Sequence, residues 1–298
     1  MKPMELAHLL SLDGDKGTAF LEHMARGSAH RASSARALKS EKELRRQALD
    51  MAPCRHLILS PHGFDLIAEV KFRSPTEGAL GNPEFLEART DPHAGLLRAR
   101  AYARAGACAI SVLTEPFAFR GSLEHLRRVA GAIEIPVMRK DFLVDTYQVW
   151  EARAEGADGV LLVLRILDDE RAASMLDACE EAGMFAVLEA FDEADLERAG
   201  RLLDRPHEER ILVGVNNRNL DTLGVDIERC RALAGALPAG IPAIAESGIL
   251  SPADARSVAS AGYPLVLVGS ALARSADPAA LIARLLRAGR RGRAGGSA

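Results

Sequence analysis

From residue 66 onward, eight short apolar runs alternate with amphipathic helical stretches, and no glycine-rich phosphate turn follows the first run. Together these predict an α/β protein, a (β/α)8 TIM barrel with an N-terminal helical extension. An open doubly wound sheet shares the alternation. It normally carries GxGxxG, or GxxxxGK followed by Ser or Thr, after its first strand, where this chain reads FRSPTEGALGN. Most of the runs also finish in a charged, amide or small hydroxyl residue, as strands opening onto a barrel mouth should.

The first strand is read at 66–71 (LIAEVK), followed by a helix over 94–106. Strands two to four are 108–113 (CAISVL), 135–140 (IPVMRK) and 158–164 (DGVLLVL), with helices over 122–132, 146–156 and 168–183. Strands five to eight are 184–189 (MFAVLE), 211–216 (ILVGVN), 241–246 (IPAIAE) and 264–269 (PLVLVG), separated by helices over 192–203, 226–237 and 252–262. The runs are nearly continuous in Val, Ile, Leu and Ala, the pattern of parallel strands covered on both faces. Ser122, Asp145 or Thr146, Asp192, and Ser251 followed by Pro252 are placed to cap helices. Gly106, Gly156, Gly183 and Gly262 are placed to stop them.

Residues 66–286 thus read as the barrel domain, and residues 1–65 as a helical extension. Within the extension, 32–52 is a charged amphipathic helix expected to lie over one end of the barrel. The closing RAGRRGRAGGSA (287–298) reads as a frayed, disordered basic tail.

Composition limits the function. With 48% apolar residues and a net charge of −3, no global basic field points to nucleic acid. The four cysteines have no paired spacing, which predicts a reducing, cytoplasmic location. No signal peptide is read at the start, and no apolar run approaches the ~20 residues that span a bilayer, so no membrane partner is expected. All eight histidines lie outside the strand ends and read as solvated or helix-surface residues, which argues against a His-based triad or metal cage.

The lysines are more telling. Of 38 basic residues only six are lysine, and past residue 42 only Lys71 and Lys140 remain, each ending an apolar run. A lysine can give up its proton where an arginine cannot. Glu69 lies two residues before Lys71, so strand pleating points both inward, and an inward carboxylate beside an inward ammonium needs pairing or a function. The other strand ends supply Thr114, Glu189, Asn216, Glu246 with Ser247, and Gly269 with Ser270. The turns ESGI (246–249) and GSAL (269–272) follow strands seven and eight, where barrels commonly hold phosphate, and Ser74 could add a hydroxyl. Phe72, Phe117, Phe119, Phe142 and Phe191 fall in loops just after strands and could cradle a flat apolar ring. These residues point to a phosphorylated small molecule with an apolar part, worked on by lysine and glutamate acid–base chemistry.

The segments IAEVKFRSP (67–75), SVLTEPFAFRGS (111–122), PVMRKDFLVDTYQVWEARAEGAD (136–158), VGVNNRNL (213–220), AESGI (245–249) and LVGSAL (267–272) closely resemble those of indole-3-glycerol phosphate synthase, in that family's order. The resemblance implies a carbon–carbon lyase (carboxy-lyase) of tryptophan biosynthesis. Its reaction closes the ring of 1-(2-carboxyphenylamino)-1-deoxyribulose 5-phosphate with loss of CO2 and water. It implies Lys140 as general acid, Lys71 as partner of the substrate carboxylate, and Glu69 and Glu189 as proton-transfer groups. Asn216, Arg218, Glu246 and Ser247 match the polar pocket, Ser74, Gly248, Gly269 and Ser270 the phosphate site, and Phe119 and Phe142 the aromatic wall. No metal and no cofactor are implied, only a small-molecule phosphorylated substrate and a monomer or homodimer. The chain departs from the pattern in its FRSPTEG loop, in LEAF (188–191) and in a longer first connection (72–93). Those departures leave room for a paralogue acting on a related arylamino-sugar phosphate. A non-catalytic phosphate-binding barrel is the reading from another class.

Overall fold

The computed structural model describes residues 16–71, 73–74, 78–79, 92–204, 210–219 and 224–295. Eight parallel strands close into a barrel: β1 (Asp65–Val70), β2 (Ala109–Leu113), β3 (Val137–Lys140), β4 (Gly159–Val163), β5 (Phe185–Ala190), β6 (Ile211–Asn216), β7 (Ala243–Glu246) and β8 (Leu265–Val268). Each strand pairs with its sequence neighbours, and β1 closes on β8 in the register Ile67 with Leu267. Every expected strand is present within two residues of its expected bounds.

Burial explains why such short strands persist. Inside the barrel, Ile67, Met138, Leu161, Phe185, Leu212, Ile244 and Leu265 pack on one another. Outside, Leu66, Ile110, Val137, Leu162 and Val213 meet the helices. The connecting helices are α3 (Pro92–Arg104), α4 (Leu123–Ala130), α5 (Thr146–Ala154), α6 (Asp169–Glu181), α7 (Glu193–Leu203), α8 (Glu228–Leu233) and α9 (Pro252–Ser260). Ser122, Asp145, Asp192 and Ser251 each accept a backbone N–H at a helix start, so Asp145 rather than Thr146 is the cap of α5. Gly106 (φ 99°) and Gly262 (φ 109°) follow α3 and α9 in a left-handed conformation that a side chain would strain. The helix expected over 226–237 is shorter: α8 stops at Leu233 and a 3-10 turn covers Ala234–Ala236.

The extension differs from the expected single helix over 32–52. Two helices, α1 (Lys16–Leu38) and α2 (Glu41–Leu49), are separated at Ser40. Ser40 and Glu43 form a reciprocal capping box that makes this break a helix start. Tyr147 donates its hydroxyl to Lys39 O, and Arg45 lies over the Trp150 ring, so α2 is fastened to the flank of the barrel on α5.

The expected disordered tail is also corrected. Beyond the short α10 (Ser270–Arg274), helix α11 runs from Pro278 to Gly295. Leu281, Ile282, Leu285 and Leu286 are buried against the barrel. A Cβ on Gly289 would strike the Phe64 ring, and one on Gly292 would lie 2.6 Å from Arg256 O. These glycines permit close helix packing, so the tail as far as Gly295 is a packed helix rather than a frayed end. Among the described residues, no helix is long and apolar enough to cross a membrane.

Candidate functional site

The carboxyl ends of the strands open into a cavity of about 340 Å³. Its floor holds Lys140 from the end of β3, Glu189 from β5 and Glu246 from β7. Lys140 Nζ lies 3.1 Å from Glu246 Oε2 and 3.5 Å from Glu189 Oε1. Asn216, ending β6, donates to Glu189 Oε1 at 2.8 Å and accepts the Arg218 N–H at 3.0 Å. Lys71, one residue past β1, pairs with Glu69 at 2.9 Å. The two lone lysines therefore face one cavity, each beside a buried carboxylate.

Two glycines, one in β6 and one just past β8, make that packing possible. A Cβ at Gly214 would collide with Glu246 Oε1, and one at Gly269 would collide with Glu69 and approach Lys71 Nζ to 3.1 Å. Gly269, expected at the phosphate site, thus also makes room for the Glu69–Lys71 pair.

Charge balance sets the protonation. Three buried carboxylates (Glu69, Glu189, Glu246) share the floor with two ammoniums. Burial opposes charge on Lys140, but Glu246, Glu189 and Glu69 outweigh it and push its pKa up. Burial would raise Glu69, yet Lys71 and Lys140 hold it below the usual carboxylate range. Glu246 goes the other way: burial, reinforced by Glu189, outweighs Lys140 and pushes it up to about 8. Its Oε1 is buried without a hydrogen-bond partner. The floor is thus an ionised Glu69 beside a lysine–glutamate pair that holds an extra proton at neutral pH.

Ser247, Gly248, Gly269 and Ser270 line one side of the cavity, with Arg218 near them. Ser247 (φ 65°) and Gly248 (φ 81°) both adopt left-handed backbone, which turns this loop sharply. Asn217, not singled out in the sequence, holds the loop by donating to Ser247 O and accepting the Cys230 N–H, both at 3.0 Å. The side chain of Ser74, Phe72, and most of the connection 72–93 lie outside the described residues.

The opposite side is aromatic. Phe119 and Phe142 line it with centroids 6.2 Å apart, and Phe191 is also present. Phe117 points away and is half exposed. Sequence reading missed Phe20 and Leu21 of α1, which complete the lining; Phe20 meets Phe142 edge-on at 5.9 Å. No motif marks either residue in the sequence, so only the fold could bring them there. It also missed Glu115 and Asp141, which look like loop polar residues but are buried. Glu115 accepts the N–H groups of Phe117, Ala118 and Phe119 at 3.0, 2.6 and 3.1 Å. Asp141 accepts the Phe142 N–H and the Thr114 hydroxyl, both at 2.8 Å. Among the described residues, no histidine lines this cavity. His125 on α4 is buried rather than solvated, because the helix turns that face inward.

Known proteins of similar sequence share one family description. Residues 22–285 match the family model described as indole-3-glycerol phosphate synthase. A protein of that name from Kineococcus radiotolerans is 41% identical over 276 residues, covering 90% of this chain and 95% of that one. Another from Parafrankia sp. is 46% identical over 224 residues, covering 75% and 78%. Among solved structures, 3-hexulose-6-phosphate synthase from Salmonella typhimurium superposes with a TM-score of 0.59 at 16% identity, covering 77% of this chain and all of that one. At that identity the structural likeness speaks for the barrel alone.

Proposed function

The chain belongs to the indole-3-glycerol phosphate synthase family, and from that premise we propose how its cavity closes the indole ring of 1-(2-carboxyphenylamino)-1-deoxyribulose 5-phosphate. The enzyme is a carboxy-lyase, and the products are indole-3-glycerol phosphate, CO2 and water. The observation that carries the residue assignment is Lys140: a buried ammonium held between Glu246 and Glu189, facing an aromatic wall.

The phosphate sits by the loops after β7 and β8, at Gly248, Gly269 and Ser270, with Ser74 and Arg218 nearby. The aryl ring lies against Phe119 and Phe142. That pose puts the ketone over the floor. The ring carbon bearing the carboxylate attacks the ketone carbon, and Lys140 donates a proton to the oxygen that becomes a hydroxyl. Lys71 pairs with the carboxylate until it leaves as CO2, whose bonding electrons restore the aromatic ring. The hydroxyl then departs as water after taking a proton, and a base removes a proton from the adjacent carbon to complete the double bond. Glu69 and Glu189 are the groups placed for that last exchange. Asn216, Glu246 and Ser247 hold the floor in register, and Glu246 keeps Lys140 protonated between turnovers.

The test is direct. The purified protein is given the carboxyphenylamino-deoxyribulose phosphate, and indole absorbance and fluorescence are followed. Product formation is expected; folded protein that binds phosphate and forms no product would sink the reading.

A further inference from the structure

The geometry points to Arg31, on α1, as a positioning residue that sets the spacing between the two aromatic loops of the cavity. Its guanidinium spans two carboxylates from different loops: Nη2 donates to Asp141 Oδ1 at 2.7 Å, and Nη1 lies 3.7 Å from Glu115 Oε1. Both carboxylates are almost wholly buried, at 1% and 2% side-chain exposure, while Arg31 keeps 23%. Each carboxylate is itself a backbone clamp. Glu115 gathers the N–H groups of Phe117, Ala118 and Phe119, and Asp141 holds the N–H of Phe142. Arg31 therefore ties the clamp carrying Phe119 to the clamp carrying Phe142, whose rings stand 6.2 Å apart.

Arginine suits this place for a stated reason. Its planar fork presents donors to two acceptors at once, whereas a lysine ammonium is a single point charge. Two buried carboxylates facing each other without it would repel, and the loops would move apart or recruit protons. Asp141 has a second anchor in Arg139, whose Nη2 lies 3.3 Å from Oδ2, so removing Arg31 loosens the loop without unpairing Asp141 altogether. Three turns upstream on the same helix, Phe20 touches Phe142. The extension thus acts on the wall by a direct ring contact and by this bridge.

The inference rests on the reading that the wall receives an aryl ring. The test uses the full chain and three measurements: turnover of the substrate, calorimetric binding of its ketone-reduced alcohol, and calorimetric binding of inorganic phosphate. In Arg31→Met, KM and the Kd of the alcohol rise roughly ten- to a hundredfold, as expected for a misplaced binding wall. The kcat stays within about threefold, and phosphate affinity is unchanged. Unchanged KM overturns the inference, and so does a parallel loss of kcat, KM and phosphate affinity, which marks general loosening. If Arg31→Met does not fold, Arg31→Lys decides: it keeps the charge but not the span, so wild-type affinity for the alcohol overturns the role. Wild-type protein that binds the alcohol without turning over substrate sinks the catalytic reading alone, and the affinity ratio still tests Arg31. Wild-type protein that binds phosphate but not the alcohol overturns both.

Discussion

The amino-terminal end of the barrel and the polar floor of its mouth bury charges in opposite ways. At the amino-terminal end, charged side chains finish backbone hydrogen bonds. Asp158 accepts the N–H groups of Arg55 and Val137, both at 2.8 Å, and pairs with the Arg55 guanidinium at 2.7 Å. Arg55 in turn donates to the carbonyls of Ala130, Ile133 and Gly156. At the mouth, Glu69, Glu189 and Glu246 meet Lys71, Asn216 and Lys140, and Glu246 Oε1 meets no partner. Backbone partners cannot leave without unfolding the strand, whereas side-chain partners can be exchanged for a ligand. The first arrangement serves stability and the second serves chemistry, although both use the same residue types.

The sharpest way to break this contrast is Lys140→Met. Turnover is expected to fall on the order of 10³-fold, with little change in substrate affinity, because a positioned general acid contributes about that much. Melting temperature should change little, since Glu246, whose burial pushes its pKa up to about 8, stays neutral without the ammonium. Steady-state kinetics and calorimetry check both, and an unchanged turnover number removes Lys140 from the acid role.

The mirror experiment is Asp158→Ala at the other end. It leaves two backbone N–H groups and a guanidinium without their carboxylate, at a cost of about 3 kcal/mol in stability. Turnover per folded molecule should be preserved. Denaturant titration with activity assays would contradict the contrast if activity fell while stability held.

A smaller effect is expected from Gly269→Ala. The added methyl displaces Glu69 and crowds Lys71, so kcat should drop roughly tenfold or more through misplacement. Gly200→Ala, whose Cβ meets nothing within 4 Å, is the silent control for glycine replacement.

The smallest effect concerns pH. Glu246 takes up its proton on folding, since its pKa rises from 4.5 to about 8. The unfolded chain binds fewer protons in that window, so stability falls as pH rises. The contribution is fully present below about 4.5 and is lost as pH climbs through about 8. Glu246→Gln removes this titration, and its thermal stability should vary less than wild type between pH 6 and 9. Equal slopes in melting scans would place the extra proton elsewhere.

The same contrast explains what could be read from residues alone. Lys71, Lys140 and Glu189 were legible because polar groups ending apolar runs break a pattern, and Glu69 because pleating sets it beside Lys71. Asp158 was not, since a charge opening a strand looks like ordinary loop polarity until its backbone partners are known. Ser40 and Glu43 form a capping box visible in SEKE, yet the helical periodicity of 32–52 runs past it. Gly289 and Gly292 show the converse, where residues of a tail read as frayed are packing contacts.

Alternation, run composition and strand-end chemistry determined the barrel, its strand order and most of the polar floor, because those depend on local periodicity and on which face a strand presents. Tertiary structure alone decided that Phe20 lines the cavity, that Arg31 reaches both Glu115 and Asp141, that those two carboxylates are clamps, and that the arginine-rich tail as far as Gly295 is a packed helix. Each of these depends on a meeting between segments distant in sequence, where the partner's shape and charge, not the residue's own neighbours, decide whether it is buried, paired or free to act.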